Sequence, residues 1–221
     1  MSSKLDLDVA HRVCEVATGG SLLAGSSVVE VRARGVRAVL AARLNMAEIA
    51  RRERDGVAPL LDGAVLDGLM QLPAGVPVSA SSLSPRERLL LRHCPADAME
   101  CSDGQLVRRL VRPLEVDLAV VRSPRPVRGA LVRAGRFGAY ARSTVWLNGP
   151  VRGPELLVME AAVYGLGVVR GWVGETLELL AAPRSASRFG HTPAGWLFAE
   201  QVYAELMSSR ALLPGRRPAV C

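Results

Sequence analysis

Residues 114–147 read LEVDLAVVRSPRPVRGALVRAGRFGAYARSTVWL, and the fold turns on how this stretch pairs with its neighbours. Apolar runs at Leu114 to Val121, Ala130 to Ala134 and Ala139 to Leu147 are separated by Ser-Pro-Arg-Pro and by Gly-rich turns. That pattern predicts an antiparallel β-meander. In the last run, strand alternation puts Tyr140, Arg142, Thr144 and Trp146 on one face. Ala139, Ala141, Ser143, Val145 and Leu147 take the other.

The same region sets the charge pattern. Between Asp117 and Glu155 there is no acidic residue, while Arg122, Arg125, Arg128, Arg133, Arg136, Arg142 and Arg152 all fall there. The chain has 28 basic and 21 acidic residues, so outside these seven arginines it is formally neutral. Only Lys4 is lysine and only Ile49 is isoleucine, the codon bias of a GC-rich genome. Position, not the preference for arginine, therefore carries the information. An acid-free basic segment beside Tyr140 and Trp146 fits an anionic partner: guanidinium groups meet phosphate, and rings stack on bases.

Working outward, Leu5, Val9, Val13 and Val16 have helical spacing up to Gly19-Gly20. Val29, Val31 and Ala33 alternate with charges, a half-buried strand ending at Gly35. Val39, Leu40, Leu44 and Ala47 then suggest a helix running to Asp55-Gly56, followed by a short helix from Pro59 to Leu72. Residues 73–84 are rich in Pro, Gly and Ser, and they mark the boundary between an N-terminal α/β subdomain, residues 1–78, and a C-terminal α+β subdomain, residues 79–221, unless the two form one continuous domain. Ser84-Pro85-Arg86-Glu87 is a capping box that starts a helix to about His93, and Ser102-Asp103-Gly104-Gln105 repeats the pattern for a second helix through Leu110. Glu155 to Gly165 reads as a buried helix and Val168 to Leu180 as one or two strands. Thr192-Pro193 caps a last helix with Trp196, Ala199, Tyr203 and Leu206 on one face. The fold class is α+β.

Two segments carry local resemblances. Leu83 to Leu91 followed by Ser102 to Leu110 is similar to the first two helices of a LuxR-type helix-turn-helix, although Pro113 and a predicted strand stand where a recognition helix would follow. His191-Thr192-Pro193-Ala194-Gly195 is similar to the segment after the wing in MarR-like winged-helix regulators. Together they cover under a fifth of the chain and assign no family.

Four cysteines, Cys14, Cys94, Cys101 and Cys221, are too few and too spread for a disulfide framework, and they read as reduced thiols in a cytoplasm. No secretory leader and no membrane span are expected. His11-x-x-Cys14 and His93-Cys94-x6-Cys101 offer donors without the paired half-sites of structural zinc, so no metal and no cofactor are assigned. No nucleophile elbow, dinucleotide loop or phosphate loop is present, and no catalytic residue is assigned. Asp6 and Asp8 suit the start of a helix better than a magnesium site.

The expected function is thus a non-enzymatic cytoplasmic protein with an anionic partner, nucleic acid in a regulatory role. The residues that would carry it are Arg122, Arg125, Arg128, Arg133, Arg136, Tyr140, Arg142, Trp146 and Arg152. One rival is an assembly or adaptor subunit in which the same arginines meet an acidic protein. The other is an enzyme built on Cys94 or His191.

Overall fold

The computed structural model describes residues 7–20, 25–149, 153–171, 174, 176–184 and 191–211. In chain order the elements begin with α1 (Leu7–Ala17), β1 (Ser26–Ala33), β2 (Val36–Leu44), α2 (Met46–Asp55) and α3 (Gly63–Met70). Then come β3 (Pro77–Ser79), a 3-10 turn at Ala80–Ser82, α4 (Pro85–Leu91), β4 (Met99–Ser102) and β5 (Gln105–Arg108). The rest are β6 (Leu114–Ser123), α5 (Arg128–Gly135), β7 (Arg142–Leu147), α6 (Glu155–Tyr164), β8 (Gly167–Arg170), β9 (Glu178–Ala181) and α7 (Pro193–Ala211). Helix and strand are mixed, as the α+β reading expects, in two sheets.

The chain divides into two compact units, residues 1–44 with 115–189, and residues 45–114 with 190–221. The Pro/Gly/Ser-rich stretch 73–84, read from sequence as a boundary, lies inside the second unit, where it supplies β3 and the 3-10 turn.

Unit 1 is built on a six-stranded sheet of order β1-β2-β6-β7-β8-β9. Strands β6, β7 and β8 run parallel, and β8–β9 and β1–β2 are antiparallel. Parallel neighbours need a crossover, and α5 and α6 supply the two. The predicted meander is therefore corrected. Residues 130–134 belong to α5, and the third run becomes a strand only from Arg142. The cause is burial on both faces. Residues 118–121 and 143–147 are buried without a break, as parallel strands between helix layers are, so alternation is not readable in them. On one face Val39, Ala41, Leu118, Val120, Trp146 and Val169 pack against Val9, Ala10, Val13, Cys14 and Ala17 of α1. On the other, Ser143 Oγ donates to the Ala134 carbonyl of α5 at 2.7 Å.

Strand β2 replaces the first part of the helix expected from Val39 to Asp55-Gly56, and the rest of that stretch is α2. Arg34 (φ 55°) and Gly35 (φ 72°) are both left-handed, the two-residue turn whose twist matches a hairpin, and Ala33 pairs Val36 across it. A Gly35→Ala substitution adds a Cβ in a left-handed conformation, 3.4 Å from Arg136 Nη1. It should cost about 1–2 kcal/mol, read as a lower urea midpoint; an unchanged midpoint would contradict this turn geometry.

Unit 2 holds α2, α3, α4, α7 and a three-stranded sheet of order β3-β5-β4. Its core gathers Val57, Leu66, Leu69, Leu91, Leu106 and Leu110 around Trp196. The capping box at Ser84 forms as expected, with the Glu87 N–H donating to Ser84 Oγ and the Ser84 N–H to Glu87. The second one does not. Asp103 (φ 49°) and Gly104 (φ 72°) form the tip of the β4–β5 hairpin, so the likeness to a helix-turn-helix stops at α4. The last helix starts as expected, with the Gly195 N–H donating to Thr192 Oγ1 at 3.1 Å, and it buries Trp196, Ala199 and Tyr203.

An ionic cluster lies inside unit 2. Arg52 donates from Nε to Glu48 Oε1 at 2.7 Å, from Nη1 to Glu200 Oε2 at 2.7 Å, and from Nη2 to Glu200 Oε1 and the Val111 carbonyl at 2.8 Å. Glu200 also accepts the Leu60 N–H and the Trp196 indole N–H. The Arg52 guanidinium stands 5.2 Å from the Tyr203 ring centre. Among the described residues no helix is long and apolar enough to cross a membrane.

Candidate functional site

The β1–β2 hairpin gathers charge at its closed end. Arg32 and Arg37 are direct cross-strand partners, and the turn between them adds Arg34. Like charges placed opposite one another disfavour the pairing, so the hairpin tolerates a local cost there. Helix α5 ends against this turn. Arg136, its C-cap, donates from Nη1 to the Arg34 carbonyl at 3.1 Å, and the Arg34 guanidinium lies 5.2 Å from the Tyr140 ring centre. Arg32, Arg34 and Arg136 are exposed and form no ion pair with a carboxylate among the described residues. Two segments a hundred residues apart thus build one basic edge of unit 1 (|i−j| = 102 for the Arg136–Arg34 bond).

The residues predicted from the sequence scatter around this edge. Arg136 and Tyr140 belong to it. Arg122, opposite Trp146 in the β6–β7 register, and Arg142, at the start of β7, are half-buried on the α1 face of the sheet. Arg125 is exposed in the loop after β6, and Arg133 is half-buried on α5. Arg128, at the start of α5, approaches Glu160 of α6 at 3.9 Å. Arg152 lies outside the described residues. Trp146 is 3% exposed and donates its indole N–H to the Gly171 carbonyl at 2.7 Å, and Thr144 beside it is fully buried. Of the face expected to be open, Thr144 and Trp146 are core because α1 packs over the sheet there, Arg142 is half-buried, and Tyr140 precedes β7 and lies beneath Arg34.

The sequence reading missed Arg32, Arg34 and Arg37. The signal was an Arg-Gly dipeptide between two apolar runs, each carrying arginine next to the turn.

Other reactive groups do not converge. His11 and Glu15 meet at 3.5 Å on the exposed side of α1, while Cys14, on the adjoining flank of the helix, is fully buried against the sheet. Burial, with Glu15 adding to it, pushes the Cys14 thiol up to about 12. Burial and Asp97 push Cys94 up to about 11, whereas Cys101 is exposed on β4. Glu115 and Asp117 could attract a cation, but Arg43 closes them at 2.6 and 2.9 Å and Ser26 Oγ donates to Asp117 at 3.2 Å. Hydrogen bonding to Asp117 raises the pKa of Arg43, which keeps that cluster neutralised. Among the described residues no three His, Cys, Asp or Glu side chains are placed to hold a metal ion. A thiol reagent near neutral pH should label Cys101 quickly and Cys14 only on unfolding, as read by mass mapping of labelled peptides. Prompt labelling of Cys14 in the folded protein would contradict its burial between α1 and the sheet.

No protein-family model matches the chain, and neither a curated protein nor a solved structure matches it.

Proposed function

We propose that this protein binds nucleic acid through its phosphate backbone, without catalysing a reaction, at the edge formed by the β1–β2 turn and the end of α5. The observation that carries the reading is the meeting of Arg34 and Arg136 at the hairpin turn, with Arg32 and Arg37 paired across the strands next to that turn. Unit 1 as a whole has sixteen basic residues against ten acidic ones, while unit 2 is close to neutral with twelve against eleven. With Trp146 in the core and Tyr140 beneath Arg34, the edge offers guanidinium groups rather than open rings. Such a surface positions a polyanion and reads little of its sequence.

The test is a titration of labelled single- and double-stranded oligonucleotides by fluorescence anisotropy. Three neutralised phosphates, at Arg32, Arg34 and Arg136, give a log–log salt slope of about −2.7, so affinity should fall about fortyfold between roughly 50 and 200 mM salt. Scrambling the oligonucleotide sequence should change little. Absence of binding at low salt would remove the proposal, and a stoichiometric acidic protein retained after nuclease treatment would replace it.

A further inference from the structure

Helix α6 reads from sequence as a buried helix, yet only Leu157 and Ala161 of it are buried. On its flank toward α5 a cleft of about 490 Å³ opens, within unit 1. Leu131 and Leu166, both buried, form the floor of this cleft, and Val132 and Tyr164, both exposed, stand at its rim. Gly135 and Gly138 line it without side chains, and a Cβ at Gly135 would meet nothing within 4 Å. The hollow thus lies where two side chains are absent.

The cleft has little polar chemistry to offer. Arg128 is the one charged residue of its lining among the described residues, and it approaches Glu160 of α6 at 3.9 Å, so the two together bring no net charge. The carbonyls at the end of α5 already accept hydrogen bonds: Arg133 from the Arg136 N–H, Ala134 from the Phe137 N–H and from Ser143 Oγ, and Gly135 from the Gly138 N–H. That leaves the ring and hydroxyl of Tyr164. Glu160 also stands between the cleft and the exposed residues Leu156, Met159 and Val163 farther round α6, so the apolar surface of the cleft ends at the Arg128–Glu160 pair.

We infer that the α5–α6 cleft binds a neutral, mainly apolar small molecule of about two fused rings, its flat face over Gly135 and Gly138 and its edge against Tyr164. Volume sets the size. A closed cavity of about 150 Å³ takes one benzene ring, and an open cleft of this volume, within the roughly 300–1,000 Å³ of ligand sites, holds two rings with its mouth still in water. Charge sets the class. An ionic ligand would give up hydration against apolar walls and find Arg128 and Glu160 already facing each other. A helix of a partner protein would need the apolar surface to continue past that pair, and it does not. No residue of the cleft lining belongs to the arginine edge at the β1–β2 turn, and the inference does not depend on nucleic-acid binding.

The probe is phenylnaphthylamine, a neutral dye that fluoresces in apolar surroundings, displaced near neutral pH by naphthol, naphthoate and naphthylmethylammonium. These competitors share one two-ring body and differ in charge. Naphthol should displace the dye, and each ion should do so at least about tenfold more weakly. Gly135→Leu should weaken dye and naphthol about tenfold by filling the cleft. Gly135 ends α5 without a left-handed φ and leucine is the better helix former, so this variant should melt no lower than the wild type. Tyr164→Ala should weaken naphthol by a similar factor, and Leu156→Asp with Met159→Asp should change neither ligand. Naphthoate bound as tightly as naphthol would overturn the inference, since the cleft would then read charge. So would a lack of saturable dye binding, wild-type affinity in the folded Gly135→Leu protein, or dye binding abolished by Leu156→Asp with Met159→Asp, which would put the dye on the outer face of α6.

Discussion

Replacing Arg52 by methionine should destabilise unit 2 by about 3–5 kcal/mol, because it removes the cation from between two buried carboxylates. Glu48 and Glu200 are 4% and 0% exposed. Glu48 would keep Arg51, whose Nε and Nη2 donate to it at 2.9 Å, but Glu200 would retain only the Leu60 N–H and the Trp196 indole. A lone carboxylate in that setting must be protonated or draw in water, and either route lowers stability. If this cause is right, the double variant Arg52→Met with Glu200→Gln should recover part of the loss. Urea unfolding followed by circular dichroism decides it: a single-variant loss under about 1 kcal/mol, or a double variant no better than the single, would contradict the account.

The same cluster predicts acid sensitivity. Burial would raise the pKa of Glu48, but hydrogen bonds from Arg51 and Arg52 outweigh it and hold the carboxyl below its ordinary value of 4.5. A depressed carboxylate contributes stability that is fully present above its unfolded pKa and is lost as pH falls through the folded one. Stability should therefore decline below about pH 4.5, and in the Arg52→Met protein the decline should begin at higher pH.

How much of this could be read in advance depends on how local the cause is. The Ser84 cap and α1 rest on residues within one or two turns, and the sequence pattern identified both. Ser102-Asp103-Gly104-Gln105 satisfied two local rules at once, a capping box and an Asp-Gly hairpin, and only the pairing of Met99–Ser102 with Gln105–Arg108 decided for the hairpin. Strand β2 was taken for helix because Ala38 to Ala42 are all buried and show no alternation. The short apolar run Ala130 to Ala134, set between Ser-Pro-Arg-Pro and a Gly-rich turn, read as a strand, and parallel pairing of β6 with β7 depends on its being a helix. The acid-free segment was visible, but its other half lies about a hundred residues earlier in the hairpin. The Arg52–Glu200 pair spans 148 residues, and nothing near either residue announces the other.

Reversing charge at the hairpin should have the largest effect on binding. Arg34→Glu with Arg136→Glu removes two cations and puts two anions where phosphates would lie, so affinity for a double-stranded oligonucleotide at low salt should fall by about a hundredfold or more. The salt slope should shrink by about two, because two fewer counterions are displaced. Both side chains are exposed, so the fold should survive. Arg34→Lys with Arg136→Lys should keep most of the slope, since a phosphate accepts a point charge, and lose only what the planar fork contributed. The control is Arg12→Glu, an exposed change on α1 in the same unit. If it weakens binding as much per charge as the hairpin variant, the protein attracts polyanions by net charge alone and the edge has no special role. If the hairpin variant alone collapses affinity and slope together, the contacts are made at that edge, because a diffuse field would lose affinity in proportion to charge wherever the charge was changed.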